Sequence, residues 1–195
     1  MDRCVFDSLA ALKKRDAEMR SRLLKEGRLF GDYAPDMQRV HRENAYELNK
    51  IIAKHGWPGI SLLGSEGCRT AWLVAQHSIC TPELQRKFLT SLKEAVARGD
   101  APKKYAAYLE DRIRFNEGRA QLYGTVLDWN ERGELGCEIE DPENLDARRA
   151  QVGLAPYRED LERHIQEIAS EGGRPPEDFA AYKVKARAWA KSVGW

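Results

Sequence analysis

His77 lies in the stretch "AWLVAQHSIC", Ala71 to Cys80, where almost every other side chain is apolar. Gln76 stands directly beside it. An amide and an imidazole carried inside a greasy helix need a reason, because burying one unpaired polar group costs about 1–3 kcal/mol and an unpaired charge costs more. The same anomaly recurs elsewhere. Asp16 occupies a position that the steps Val5, Leu9, Leu12, Met19, Leu23 reserve for an apolar residue. Asn44 sits in the row Met37, Val40, Leu48, Ile51, with His41 on its flank, and Arg112 falls between Tyr105, Tyr108, Leu109 and Ile113. Several such residues in one core are tolerable if they satisfy one another or line a wet cavity. Their types fit proton transfer and anion binding. An imidazole titrates near neutrality and serves as a general base. A carboxylate (Asp16 or Asp111) orients it, and arginine grips carboxylate or phosphate with two N–H groups. The expected catalytic set is therefore His77, Asp111 and Asp16. Arg20, Asn44, Trp57, Gln76, Arg112, Gln121 and Tyr123 are expected to bind the substrate.

Other chemistries lack their signatures. There is no GxSxG, P-loop or GxGxxG, so serine-hydrolase, P-loop and dinucleotide readings have no anchor. His77, His55 and Asp111 or Asp16 have compatible ligand chemistry, but no HExxH, HxH or DxD spacing is present, and the sequence gives no metal and no cofactor. Cys4, Cys68, Cys80 and Cys137 include no CxxC pair and read as free thiols of a reducing compartment, the cytoplasm. Thirty-two basic against 31 acidic residues give a net charge of +1, without the basic excess that nucleic acid demands. No apolar run approaches the roughly 20 residues of a membrane span.

These side chains must be positioned by helices. Period-3.6 stripes predict helices from Val5 to about Lys25, Asp36 to His55, Ser65 to about Ile79, and Pro102 to Asn116. Thr81 is expected to cap a further helix begun by Pro82 and ended by Gly99. Gly56 and Pro58 terminate the second helix. After Gly118 the texture changes: "AQLYGTVLDW" and "ELGCEIED" read as strands of a hairpin joined by "NERG". "PENLDARRAQVGL" is a short helix, and two more span Tyr157 to Glu171 and Glu177 to Ser192. The expected fold is mainly α: a bundle-like domain over residues 1–157 with a small hairpin, and a C-terminal helical extension over 158–195 packed on it.

Four segments, "IIAKHGWPG", "AWLVAQHS", "YLEDRIRFNEGRAQLYGT" and "IEDPENLDARRAQVGL", together resemble an uncharacterised bacterial family, a domain of unknown function. The likeness covers about Leu9 to Tyr157, and the tail beyond is read as an addition. The resemblance implies that Asp16 and Arg20, Asn44, Gln76 and His77, Asp111 and Arg112, Gln121 to Thr125, and Asp141, Asp146 and Arg149 are family positions. Two departures are visible: Ala17 and Val126 stand where the family often has glutamine. The resemblance implies no reaction. Taken together, the residues describe a small-molecule-binding domain, a hydrolase or transferase acting on a small polar or anionic substrate. The alternative is a non-enzymatic interaction module, immunity-like or an adaptor, whose polar cluster is structural and whose C-terminal helices meet a protein partner.

Overall fold

The computed structural model describes residues 2–29 and 33–195. Among them are eight α-helices and one antiparallel pair of two-residue strands, so the mainly helical reading holds. The chain divides into two compact units, Met1–Leu109 and Glu110–Trp195.

In the first unit α1 (Arg3–Lys25), α2 (Pro35–His55) and α3 (Ile60–His77) pack on one another, and α4 (Pro82–Ala97) joins α2 and α3. Asp2 starts α1 by accepting the Val5 N–H at 3.1 Å. Pro35 supplies the fixed φ of a first helical turn in α2, and Gly56 ends it at φ 72°, where a side chain would be strained. The inward row of α2 is Met37, Val40, His41, Asn44, Ala45, Leu48 and Ile52. His41 is thus in the seam rather than on its flank, and Ile52 replaces the expected Ile51. α3 opens five residues earlier than the expected Ser65 start, with a break at Gly64 (φ 71°), and closes into a 3-10 turn, Ser78–Cys80. Thr81 stands at the start of α4 but caps nothing; its hydroxyl donates back to the Ser78 carbonyl at 3.0 Å. The "HGWPG" turn is packed shut. Trp57 is 3% exposed, and Asp100 accepts from the Ser61 amide (2.6 Å) and hydroxyl (3.0 Å). A Cβ on Gly59 would collide with that carboxylate.

The second unit begins inside α5 (Lys103–Asn116) and continues through β1 (Asp128–Trp129), β2 (Leu135–Gly136), α6 (Leu145–Gln151), α7 (Tyr157–Ser170) and α8 (Phe179–Val193). The hairpin is far shorter than the sequence pattern implied: Asp128 pairs with Gly136 and Trp129 with Leu135. Upstream, Gln121 makes an isolated bridge to Ile139, and Leu122–Val126 leave the strand path altogether. Gly124 takes φ 66°, and a Cβ there would come within 2.8 Å of the Tyr157 ring. The close approach that its glycine signalled is thus to the protein's own aromatic ring.

Arg149 holds this unit together. It is fully buried, and its guanidinium donates to the carbonyls of Ala155 (2.6 Å) and Tyr123 and to the Asp160 carboxylate (2.7 Å). One side chain thereby ties α6, α7 and the 121–126 loop. Burial disfavours the charge on Asp160, but donors from Arg149 and Arg163 outweigh it and set its carboxyl below the usual range. In the tail, Tyr182 and Lys183 of α8 reach Asp128 on β1, the lysine at 3.0 Å. The expected tail stripes are only partly covered: Asp160 is the buried residue of α7, α8 buries none completely, and Ile165 is exposed.

Arg149→Met should lower stability by about 3–5 kcal/mol, because it strands a buried carboxylate and two carbonyls. Urea unfolding measures this. The Asp160 contribution is present above the pKa of an unfolded aspartate, about 3.9, and disappears as pH falls through its lower folded value. Acid titration of stability should therefore show a loss below about pH 4 that Asp160→Asn lacks.

Candidate functional site

Three side chains from three helices of the first unit meet at one point. Asp16 comes from mid-α1, on the face that also carries Leu9, Leu12 and Leu23. His41 comes from the second turn of α2, and His77 is the last residue of α3. One Asp16 oxygen lies 3.2 Å from His41 Nε2, and the other is hydrogen-bonded to His77 Nδ1. The imidazole centroids are 5.0 Å apart. On the far side of His41, Nδ1 meets the Tyr33 hydroxyl, which also accepts from Cys80 Sγ at 3.3 Å.

The electrostatics fix most of the protons. Burial works against an ionised Asp16, yet the imidazole donors outweigh it and hold its carboxyl well below the usual carboxylate range. An ionised carboxylate only accepts, so His41 donates from Nε2 and His77 from Nδ1. Burial is the chief cause that lowers the His41 pKa, with Asp16 pulling the other way, and the ring is accordingly neutral. Its Nδ1 is then an acceptor for Tyr33 O–H. The bond to Asp16 engages Nδ1 of His77 and not Nε2, and 41% of the His77 side chain is exposed.

That exposure opens onto a cleft of about 240 Å³. Asp16, His41, His77 and Tyr33 line it, with Arg20 and Arg28 on its wall. Leu23, Ala34 and Met37 form an apolar cluster, joined by Leu29 and Tyr33, at the same place. A groove of about 270 Å³ runs between α1 and α3, past Phe6, Lys13, Glu66 and Thr70. It contains no imidazole or thiol. Size alone does not mark a site, and the smaller cleft has the convergent titratable groups.

The remaining expected site residues are placed differently. Asn44 is buried and donates to the Leu12 carbonyl at 3.1 Å, binding α2 to α1. Gln76 is buried behind His77 and does not line the cleft; its carbonyl accepts from Gln85 at 3.1 Å. Trp57 is in the core near Cys68. Asp111, Arg112, Gln121 and Tyr123 belong to the second unit. There the Asp111 carboxylate is fully buried and accepts from the amides of Leu122 (2.8 Å), Tyr123 (3.1 Å) and Thr125 (3.0 Å) and from the Thr125 hydroxyl (3.0 Å). Burial pushes its carboxyl above the usual range, and those donors offset only part of the rise. Gln121 closes the same loop by exchanging two hydrogen bonds with the Val126 backbone, at 2.7 and 2.9 Å. Arg112 and Tyr123 are half-buried. His55, the other imidazole weighed as a ligand, does not line the cleft.

Residues 7–170 match a family model described as a family of unknown function (DUF6624). The chain belongs to this family. No curated protein sequence and no solved structure shows significant similarity to it. The match runs past Tyr157 to residue 170, so α7 lies within the family region, beyond the limit at Tyr157 that the resemblance implied. Asp16, His41 and His77 all fall inside the matched span.

Two residues of the site were missed. His41 lies four positions after Met37 and seven before Leu48, a spacing that marks the seam as well as the flank. Tyr33 precedes the helix in a glycine- and proline-rich turn, where no periodicity operates.

Two measurements follow from this geometry. Imidazole ¹⁵N spectra should show His77 in the Nδ1–H form and His41 in the Nε2–H form, and Asp16→Asn should release both preferences. Asp111→Ala should cost about 3 kcal/mol or more by orphaning several buried amides. Hydrogen exchange at Leu122, Tyr123 and Thr125 should accelerate with it.

Proposed function

We propose that the cleft beside Asp16, His41 and His77 binds a small polar or anionic molecule, and that the protein is a hydrolase or group transferase acting on it. The observation that carries this reading is the joining of both imidazoles to one carboxylate where a cleft reaches them. A sealed core cluster would not be met by such an opening. In this reading His77, backed by Asp16, takes the proton of an attacking water or hydroxyl and returns it to the leaving group. Arg20 and Arg28 face an anionic group of the substrate across the cleft. Asp111 is assigned the shaping of its own loop, not proton transfer, because its acceptor capacity is taken up by that loop. Four free cysteines fit a reducing compartment, the cytoplasm, and no helix among the described residues is long and apolar enough to cross a membrane.

One observation favours the alternative, an interaction module. α8 buries no residue completely and leaves Val184 67% exposed, as a helix awaiting a protein partner would.

A thermal-shift screen against polar and anionic metabolites separates the two. On the enzyme reading at least one compound at saturation raises the midpoint by about 4 °C or more, and His77→Ala stays folded and loses the response. A wild type that answers to nothing, with His77→Ala simply unfolded, makes the cluster structural.

A further inference from the structure

We propose that Asp16, His41 and His77 bind one divalent first-row transition-metal ion, leaving a coordination position open to the cleft. The inference deepens the reading above and rests on that cleft being the working site; with the ion bound, His77 serves as a ligand and activation of the attacking oxygen passes from His77 to the ion. Each residue offers one ligand atom, and the three atoms lie within 4.8 Å of one another. The 3.2 Å between Asp16 Oδ1 and His41 Nε2 matches the edge, about 3.0–3.4 Å, of a coordination shell built on bonds of about 2.0–2.2 Å. Such an edge serves equally as a hydrogen bond while the ion is away.

Three further features favour a metal over a simple polar core. The ligands come from three mutually packed helices, so the set is held before any ion arrives. His41 has the outer partner that metal-bound imidazoles use: Tyr33 at its other ring nitrogen, backed by Cys80. Three protein ligands beside a cleft leave room for a water or substrate atom, which is how catalytic sites differ from closed structural ones.

Two imidazoles, one carboxylate and no thiolate suit zinc, cobalt(II), iron(II) or manganese(II) over magnesium or calcium, which take all-oxygen shells. A metal there polarises a bound water or substrate oxygen, the step that hydrolysis or group transfer needs.

The test uses the full chain, stripped with a chelator and titrated with zinc by calorimetry at pH 7.5. One equivalent should bind. His77→Gln and Asp16→Asn, each checked for helicity by circular dichroism, should weaken uptake roughly 100-fold or more, beyond what loss of an outer partner costs. Cys4→Ser and Cys137→Ser should keep it. Cobalt(II) in the wild type should give visible bands of a nitrogen and oxygen shell without thiolate charge transfer, a readout that needs no variant to fold. Absence of saturable uptake, uptake unchanged in a folded His77→Gln protein, or a thiolate spectrum would overturn the proposal. A protein that takes no metal but still shows a small-molecule shift lost in His77→Ala sinks the metal and leaves the cleft reading standing. Zinc uptake with no small-molecule response does the reverse.

Discussion

The carboxylate of Asp16 is the constraint around which the first unit is arranged. Two oxygens receive two imidazoles from two other helices, so a single residue of α1 sets the approach of α2 and of the α3 terminus. An aspartate on an apolar helix face is a liability unless its charge is met. Here it is met by donors that are themselves titratable, and that choice matters. Arginine in the same place would have made a fixed ion pair. Imidazoles leave a ring nitrogen over, and on His77 that nitrogen sits on a half-exposed side chain at a cleft.

Asp111 shows what the other solution looks like. It too is a buried aspartate, but its donors are amides and a hydroxyl from a single loop, and it fixes a backbone path that Gly124 alone can complete. Gln121 and Arg149 serve the same end, one closing the loop on Val126 and the other drawing the Tyr123 carbonyl to α6 and α7. Motif residues of similar chemistry thus divide into a cluster whose donors titrate near neutrality and a scaffold whose donors do not. That division follows from the type of donor each carboxylate meets.

The helices were legible because their apolar positions repeat every three or four residues, and burial enforces that repeat. Asp16 stood out for the same reason: it breaks a row that Leu9, Leu12 and Leu23 define. The pairing of Asp16 with His41 and His77 was not legible. Partners 25 and 61 residues away are chosen by how helices cross, and periodicity along one helix is silent on that. The strands were over-read for a related reason. "AQLYGTVLDW" has the composition of a strand, but the pull of a buried carboxylate on three amides outweighs a β-propensity worth about 1 kcal/mol across its whole scale. Local preference lost to a long-range polar contact.

Ala17 and Val126, the two positions where the resemblance implies glutamine, both lie apart from the Asp16 cluster. Ala17 lies next to Asp16 in sequence, yet a helix turns about 100° per residue, and Ala17 lines the groove toward Glu66 and Gly67 instead of the histidine cleft. Val126 is buried, and its amide is already engaged by Gln121. A missing amide at either position therefore leaves Asp16, His41, His77 and their hydrogen bonds untouched.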